Sequence, residues 1–183
     1  MTNAERILSC LDKKLNAPVD LTLYGRAALE LGFEESLEEH ALSRDVDAVF
    51  WIGQAEELNA TTNFWTSVEE VNDELSEDGL YISHFFTEDQ VILRPGWRSS
   101  RIPIGGDRLQ LQLHRLGNED LLLSKLMRDD PLDLRDAQFI VRASGLGIKE
   151  IRSLLEQARV PDAPEVKEQF AIASQKLLGS LVA

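Results

Sequence analysis

The sequence predicts an α+β fold: a mixed sheet flanked by helices, followed by a lobe made of helices alone. Three observations carry this. Segments rich in β-branched and aromatic residues, or alternating apolar with polar, fall before about residue 116 and are interleaved with helical stretches. After Gly117 the patterned segments have helical spacing only. The apolar strand "VDLTLYG" runs through Gly25 directly into a helical stretch. The chain's 183 residues suit one domain or two small lobes sharing a core. The expected division is an α/β lobe over 1–116 and a helical lobe over 117–183 packed on it.

Each element has its own signal. From Asn3 to Leu15, the spacing of Ile7, Leu8, Leu11 and Leu15 predicts an amphipathic helix, ended by Asn16 to Pro18. "VDLTLYG" predicts a strand, and "RAALELGF" a short helix closed near Gly32. "EESLEEHALS" is acidic and is expected to be a mobile, exposed loop. "DVDAVFWI" predicts a second strand, and "QAEELNA" and "TNFWTSVEEVNDELSE" predict helices. "GLYISHFF" and "QVILRP", separated by "TEDQ", are expected to form a hairpin, and "RIPI" and "RLQLQLHRL" two further short strands. "NEDLLLSKLMRD" predicts a helix capped by its asparagine, with acids in the first turn. The next, "DPLDLRDAQFIVRAS", has Asp130 as cap and Pro131 at the first helical position. "GIKEIRSLLEQAR" and "APEVKEQFAIASQKLLGSL" complete the helical tail.

Composition narrows the function classes. With 19 basic and 32 acidic residues the net charge is −13, which opposes nonspecific binding to nucleic acid and suits metal cations or a basic partner. No apolar run approaches the roughly 20 residues that span a bilayer, so no membrane partner is expected. The start, "MTNAERILSCLDKKL", lacks the basic-then-apolar layout of a secretory signal. Cys10 is the only cysteine, which excludes an intrachain disulfide and a cysteine zinc cluster. A cytoplasmic protein is the expectation.

The chemistry is concentrated in "SRDVDAVFWI". Residues two apart on a strand project from one face, so Asp45 and Asp47 point together. At about 5 Å and an effective dielectric near 20, two carboxylates repel by about 3 kcal/mol. A divalent cation offsets this, since Mg²⁺ favours carboxylate oxygens together with substrate phosphates. Arg44 is the alternative counter-charge, although its neighbouring position favours the opposite face. A D-x-D alone is a short motif. Upstream, however, the strand that ends at Gly25 passes straight into a helix, and a helix N-terminus is a seat for phosphate.

This arrangement of apolar strand, glycine turn, short helix and D-x-D on the neighbouring strand, "LTLYGRAALEL…SRDVDAVF", resembles the nucleotidyltransferase superfamily. The "SRDVD" form is similar to the abortive-infection-type nucleotidyltransferase toxins and related uncharacterised families. "EDLLLSKLMRDDPLDLRDAQFIV" and "VILRPGWRSSRIPI" resemble further segments of those families, so the likeness spans most of the chain to about residue 145. It implies a nucleotidyltransferase-like fold. Asp45 and Asp47 would bind metal, as Mg²⁺ or Mn²⁺. Gly25, Arg26 and Ser43 would lie at the nucleotide, and Lys125 and Arg128, three apart on one helical face, would meet triphosphate or an acidic acceptor. Asp136 would orient Lys125 or act as a base, while Asp133 suits a helix start.

Two departures stand in the chain: Arg26 replaces the second small residue of the glycine turn, and the loop between that turn and the D-x-D is longer than in most members. The strand where a third carboxylate is expected offers Gln110, Gln112 and His114. Trp97, with Arg94, Arg98 and Arg101 around it, is a further candidate, to grip an RNA acceptor by stacking and charge or to dock an acidic partner. Two hypotheses result. One is a metal-dependent enzyme moving a nucleotidyl group from a nucleoside triphosphate to an RNA, protein or small-molecule acceptor, in the setting of a toxin with an antitoxin partner or of phage defence. The other is an inactive binding module on the same fold.

Overall fold

The computed structural model describes residues 1–182 apart from Ser36, and for Ala41 the backbone only. They form two compact units: Met1–Thr87 with Arg101–Arg115, and Glu88–Ser100 with Leu116–Ala183.

The first unit is the α+β part. It contains, in order, α1 (Asn3–Lys14), β1 (Val19–Tyr24), α2 (Gly25–Gly32), α3 (Glu38–Ala41), β2 (Asp45–Phe50), α4 (Gln54–Thr61), α5 (Phe64–Leu75), β3 (Tyr81–Thr87), β4 (Ile102–Pro103) and β5 (Leu111–Arg115). Among the described residues these strands make one five-stranded mixed sheet in the order β3-β2-β1-β5-β4. β1 pairs antiparallel with β2 and parallel with β5, and β3 runs parallel to β2. α1 starts where Thr2 and Glu5 cap each other: Thr2 Oγ accepts from Glu5 N at 3.3 Å, and Glu5 Oε2 accepts from Thr2 N at 2.9 Å. That capping box satisfies two donors that helix geometry leaves free.

Alternation gives the sheet two unlike faces. Leu21, Leu23, Ala48, Phe50, Leu111 and Leu113 form one face and are all buried. Helices α1, α2 and α5 pack on it, and Phe50, Phe64, Trp65 and Phe85 form an aromatic cluster there with centroids 5.1–6.1 Å apart. The opposite face carries Asp20, Thr22, Tyr24, Asp45, Asp47, His84 and His114, placed together by the pairings Tyr24↔Asp47, Thr22↔His114 and Asp47↔His84. One face therefore holds the core and the other the chemistry, as a half-buried sheet does.

Two expectations for this region are corrected. "GLYISHFF" and "QVILRP" form no hairpin. β3 pairs with β2, while Leu93 makes an isolated bridge to Arg159 within the second unit. The segment "EESLEEHALS" is not simply an exposed loop: it contains the single-turn α3, and His40 is fully buried. Ser36 lies outside the described residues.

Arg115, at the end of β5, closes the far end of α2. Its Nε donates to the Gly32 carbonyl at 3.1 Å and its guanidinium lies 4.4 Å from the centre of the Phe33 ring. Burial pushes this guanidinium down to about 10. A β-carbon on Gly32 would overlap Arg115 Cδ and Nε. Gly32→Ala is therefore expected to displace Arg115 and destabilise the protein by about 1–3 kcal/mol, the usual range for overpacking. Chemical denaturation measures it, and a variant as stable as wild type would contradict the contact.

The second unit contains α6 (Asn118–Lys125), α7 (Pro131–Ser144), α8 (Ile148–Gln157) and α9 (Pro164–Ser180). Asp130 caps α7, accepting from Leu132 N at 2.8 Å and Asp133 N at 3.2 Å, and Pro131 opens it. For α6 the cap residue is Gly117, with Asn118 already inside the helix. The tryptophan loop belongs to this unit and is closed. Trp97 is 2% exposed, and its indole N–H donates to Glu88 at 2.9 Å. Arg94 is held by the buried Asp120 at 2.8 Å and by Glu119. The expectation of an exposed stacking residue ringed by arginines fails for this reason: an acid in α6 takes Arg94, and the indole is packed away from solvent.

Candidate active site

The site assembles where β1 ends, beside β2. Gly25 has φ +72, in the left-handed region that favours glycine, so the chain turns there from strand to helix without strain. A β-carbon on Gly25 would stand 3.0 Å from Asp47 Oδ2. The bare Cα is thus what lets the Asp47 carboxylate lie against the turn. The N-cap residue of α2 is Tyr24, whose side chain makes no cap hydrogen bond. The start of the helix faces the Asp47 carboxylate.

Asp45 and Asp47 project together, as their spacing predicts. Ser83 Oγ lies 2.6 Å from Asp47 Oδ1 and 3.4 Å from Asp45 Oδ2, so one hydroxyl touches both carboxylates. Ser43 Oγ donates to Asp45 Oδ1 at 2.9 Å. Arg44 does not offset the pair: it is exposed, and its Nη1 lies near Gly79. A further side chain comes from β3, where His84 Nδ1 lies 3.0 Å from Asp47 Oδ1. One oxygen or nitrogen from each of Asp45, Asp47 and His84 lies within 4.8 Å of the others.

His84 reaches this face through an irregularity. The β2/β3 register runs Val46↔Ile82, then Asp47↔His84, with Ser83 as the extra residue. In an unbroken ladder Asp47 would face Ser83, and His84 would point into the helical layer. A bulge inserts one residue and re-aims those that follow. Here it leaves Ser83 on the carboxylates and turns His84 toward them as well. Neither was singled out in the sequence. The available signal was two adjacent polar residues breaking the apolar run of "YISHFF".

The other sequence candidates lie elsewhere. His114 is opposite Thr22, away from Asp47, and its Nδ1 is engaged by Asp20 at 3.0 Å. Arg101 holds the same Asp20 at 2.7 and 3.1 Å, donates to Thr22 at 2.9 Å, and lies over Trp51. His114 is thus a member of a polar network on the sheet. Gln112 is exposed on β5. Arg26, the second residue of α2, is half-buried. In the second unit, Lys125 is almost fully buried, and its ammonium lies 2.8 Å from Asp136 and 3.2 Å from Asp133. Arg128 contacts the other oxygen of Asp133 at 2.7 Å. Gly25, Ser43, Asp45 and Asp47 therefore form one group, and Lys125, Arg128, Asp133 and Asp136 a second, each within its own unit.

No protein-family model, no curated protein and no solved structure matches this chain. No described helix is long and apolar enough to cross a membrane.

The donor set tests whether a divalent cation fits. Two carboxylates and an imidazole converge, and the Gly25 cradle leaves space that a side chain would fill. Bonds of about 2.1 Å to an octahedral ion separate its ligand atoms by about 3.0–4.2 Å, and the three ligand atoms here lie within 4.8 Å of one another, so the residues fit.

Proposed function

We propose that the protein is a metal-dependent nucleotidyltransferase that uses a nucleoside triphosphate. One observation carries the reading: the Asp45 and Asp47 carboxylates converge beside the bare Cα of Gly25 at the start of α2. A cation-binding pair next to a phosphate seat is what the transfer of a nucleotidyl group requires. The bound ion, as Mg²⁺ or Mn²⁺, would supply charge to neutralise the triphosphate and the leaving pyrophosphate. Asp45 and Asp47 hold that ion. Ser43 and Ser83 fix the carboxylate rotamers through their hydroxyls. The α2 N-terminus, with Arg26 as its second residue, binds phosphate oxygens. In the transfer, an acceptor hydroxyl oxygen bonds to the α-phosphorus, the bond to the bridging oxygen breaks, pyrophosphate leaves and the hydroxyl proton passes to water. RNA, protein and small-molecule acceptors all supply such a hydroxyl. A toxin paired with an antitoxin, or a phage-defence protein, is the setting that the sequence resemblance suggests.

The second reading is a binding module that keeps the fold without turnover. Arg26 in the glycine turn, and a histidine where a third carboxylate is expected, favour it. Incubating the protein with labelled nucleoside triphosphates and cell extract separates the two. The enzyme transfers label, and Asp45→Asn/Asp47→Asn abolishes it. Loss of one transition-state-stabilising group typically lowers a rate by about 10²–10³, so the double variant falls at least that far. Wild-type labelling no greater than that of the double variant would leave only the binding module.

A further inference from the structure

The β-bulge at Ser83 acts on both faces of the strand. It sets Phe85 opposite Ala48 in the helical layer, within the aromatic cluster, and on the polar face it sets His84 opposite Asp47. His84 is poorly explained as packing: its side chain is 59% exposed, against 20% for Asp47. Its ring stacks on Phe86, with centroids 5.5 Å apart and planes 5° from parallel, which fixes the ring orientation. Phe86 is itself held edge-on by Tyr24, the residue before the glycine turn, at 6.1 Å. An imidazole is thus presented to two carboxylates, with Nδ1 inward and its plane braced on an aromatic neighbour. A metal ligand needs this orientation. A surface histidine does not.

We infer that His84 is the third protein ligand of the cation held by Asp45 and Asp47, and that this nitrogen makes the site prefer first-row transition ions, such as Mn²⁺ and Co²⁺, over Mg²⁺. The inference rests on the metal-dependent reading above and deepens it. The chemical reason is the donor set. Mg²⁺ demands near-ideal octahedral oxygen coordination and dehydrates reluctantly. Imidazole is a borderline donor, and affinity for a mixed nitrogen and oxygen site rises from Mn²⁺ to Co²⁺. The sheet reinforces this, because no carboxylate lies where a third oxygen ligand was expected: β5 offers Gln112 and His114, and His114 is engaged by Asp20. The nitrogen comes instead from β3, on the other flank of β2.

The test uses the full chain and metal alone. Mn²⁺ binding is followed by loss of the free-ion electron paramagnetic resonance signal, with Mg²⁺ and Co²⁺ as competitors. Electron spin-echo modulation of bound Mn²⁺ reports a directly coordinated nitrogen. Wild type is expected to show nitrogen modulation and to bind Co²⁺ and Mn²⁺ at least tenfold more tightly than Mg²⁺. His84→Ala loses the modulation and at least tenfold in Mn²⁺ affinity. His84→Asp, with three carboxylates, regains affinity for Mg²⁺ and loses the preference. Thermal melts accompany both variants, and the exposure of His84 predicts melting near that of wild type. Mn²⁺ bound by wild type without nitrogen modulation, or equally well by His84→Ala, overturns the ligand assignment and leaves the transferase reading standing. If wild type binds none of the three ions, and the metals do not enhance its binding of nucleoside triphosphate, both fall together.

Discussion

Replacing Lys125 with methionine is expected to destabilise the protein by about 3–5 kcal/mol, the cost of removing one partner from a buried ion pair. Methionine keeps much of the stem volume, so the loss is one of charge rather than packing. In the wild type the ammonium is 2.8 Å from Asp136 Oδ2 and 3.2 Å from Asp133 Oδ1. The three side chains are 7%, 0% and 9% exposed, so water screens little of their interaction. Asp133 keeps Arg128 as a second cation. Asp136 is fully buried and bears the larger penalty. For a chain of this size the loss corresponds to a fall in Tm on the order of 10 °C. Lys125→Met/Asp136→Leu removes both charges and is expected to recover most of the stability, since an apolar replacement of a whole buried pair is often neutral. The pair of variants also tests the role that the sequence resemblance implies for Lys125. A stable double variant that still binds nucleoside triphosphate assigns Lys125 to holding α6 against α7. A stable one that has lost binding assigns it to the ligand.

The parts of the fold written in local periodicity were legible. The spacing of Ile7, Leu8 and Leu11 gave α1, and Asp130-Pro131 gave the start of α7, because caps and amphipathic faces depend on residues within one or two turns. The convergence of Asp45 and Asp47 was legible for the same reason: a strand has a period of two. Non-local pairing was not legible. "QVILRP" has strand composition, but its partner is Arg159, some sixty-five residues on within the same unit; nothing local distinguishes that from a hairpin arm. His84 was missed because a bulge reverses the face of a residue without changing its own identity. His114 and Trp97 were singled out as isolated residues, whereas their meaning lies in Asp20 and Glu88, which sequence distance conceals.

Asp12→Ala is expected to cost about 2–4 kcal/mol, because it leaves three backbone donors without their acceptor. Asp12 lies on α1 and reaches across to the start of β5. Its Oδ1 accepts from Gln110 N at 2.8 Å and Leu111 N at 2.7 Å, and its Oδ2 from Leu109 N at 2.9 Å. Leu109 is exposed and water can replace its bond; Leu111 is buried and water cannot. The same segment begins the parallel pairing with β1, where Val19 N donates to the Gln110 carbonyl at 2.9 Å. Loss of the carboxylate therefore frees the first residues of β5 and should raise amide exchange at Leu111 before it does so at Leu113. The effect carries a pH signature. Burial on its own would raise the Asp12 carboxyl, but the three N–H donors and the Arg108 charge overcome it and hold the group below the usual carboxylate range. A carboxyl depressed by folding contributes stability that is complete above its unfolded value and disappears as pH falls through the folded one. Asp12→Asn is consequently expected to be less stable than wild type at neutral pH and to lose less on acidification below about pH 4, so that the two denaturation midpoints converge in acid. Parallel decline of the two proteins down to low pH would show that the charge on Asp12 contributes nothing beyond a neutral acceptor.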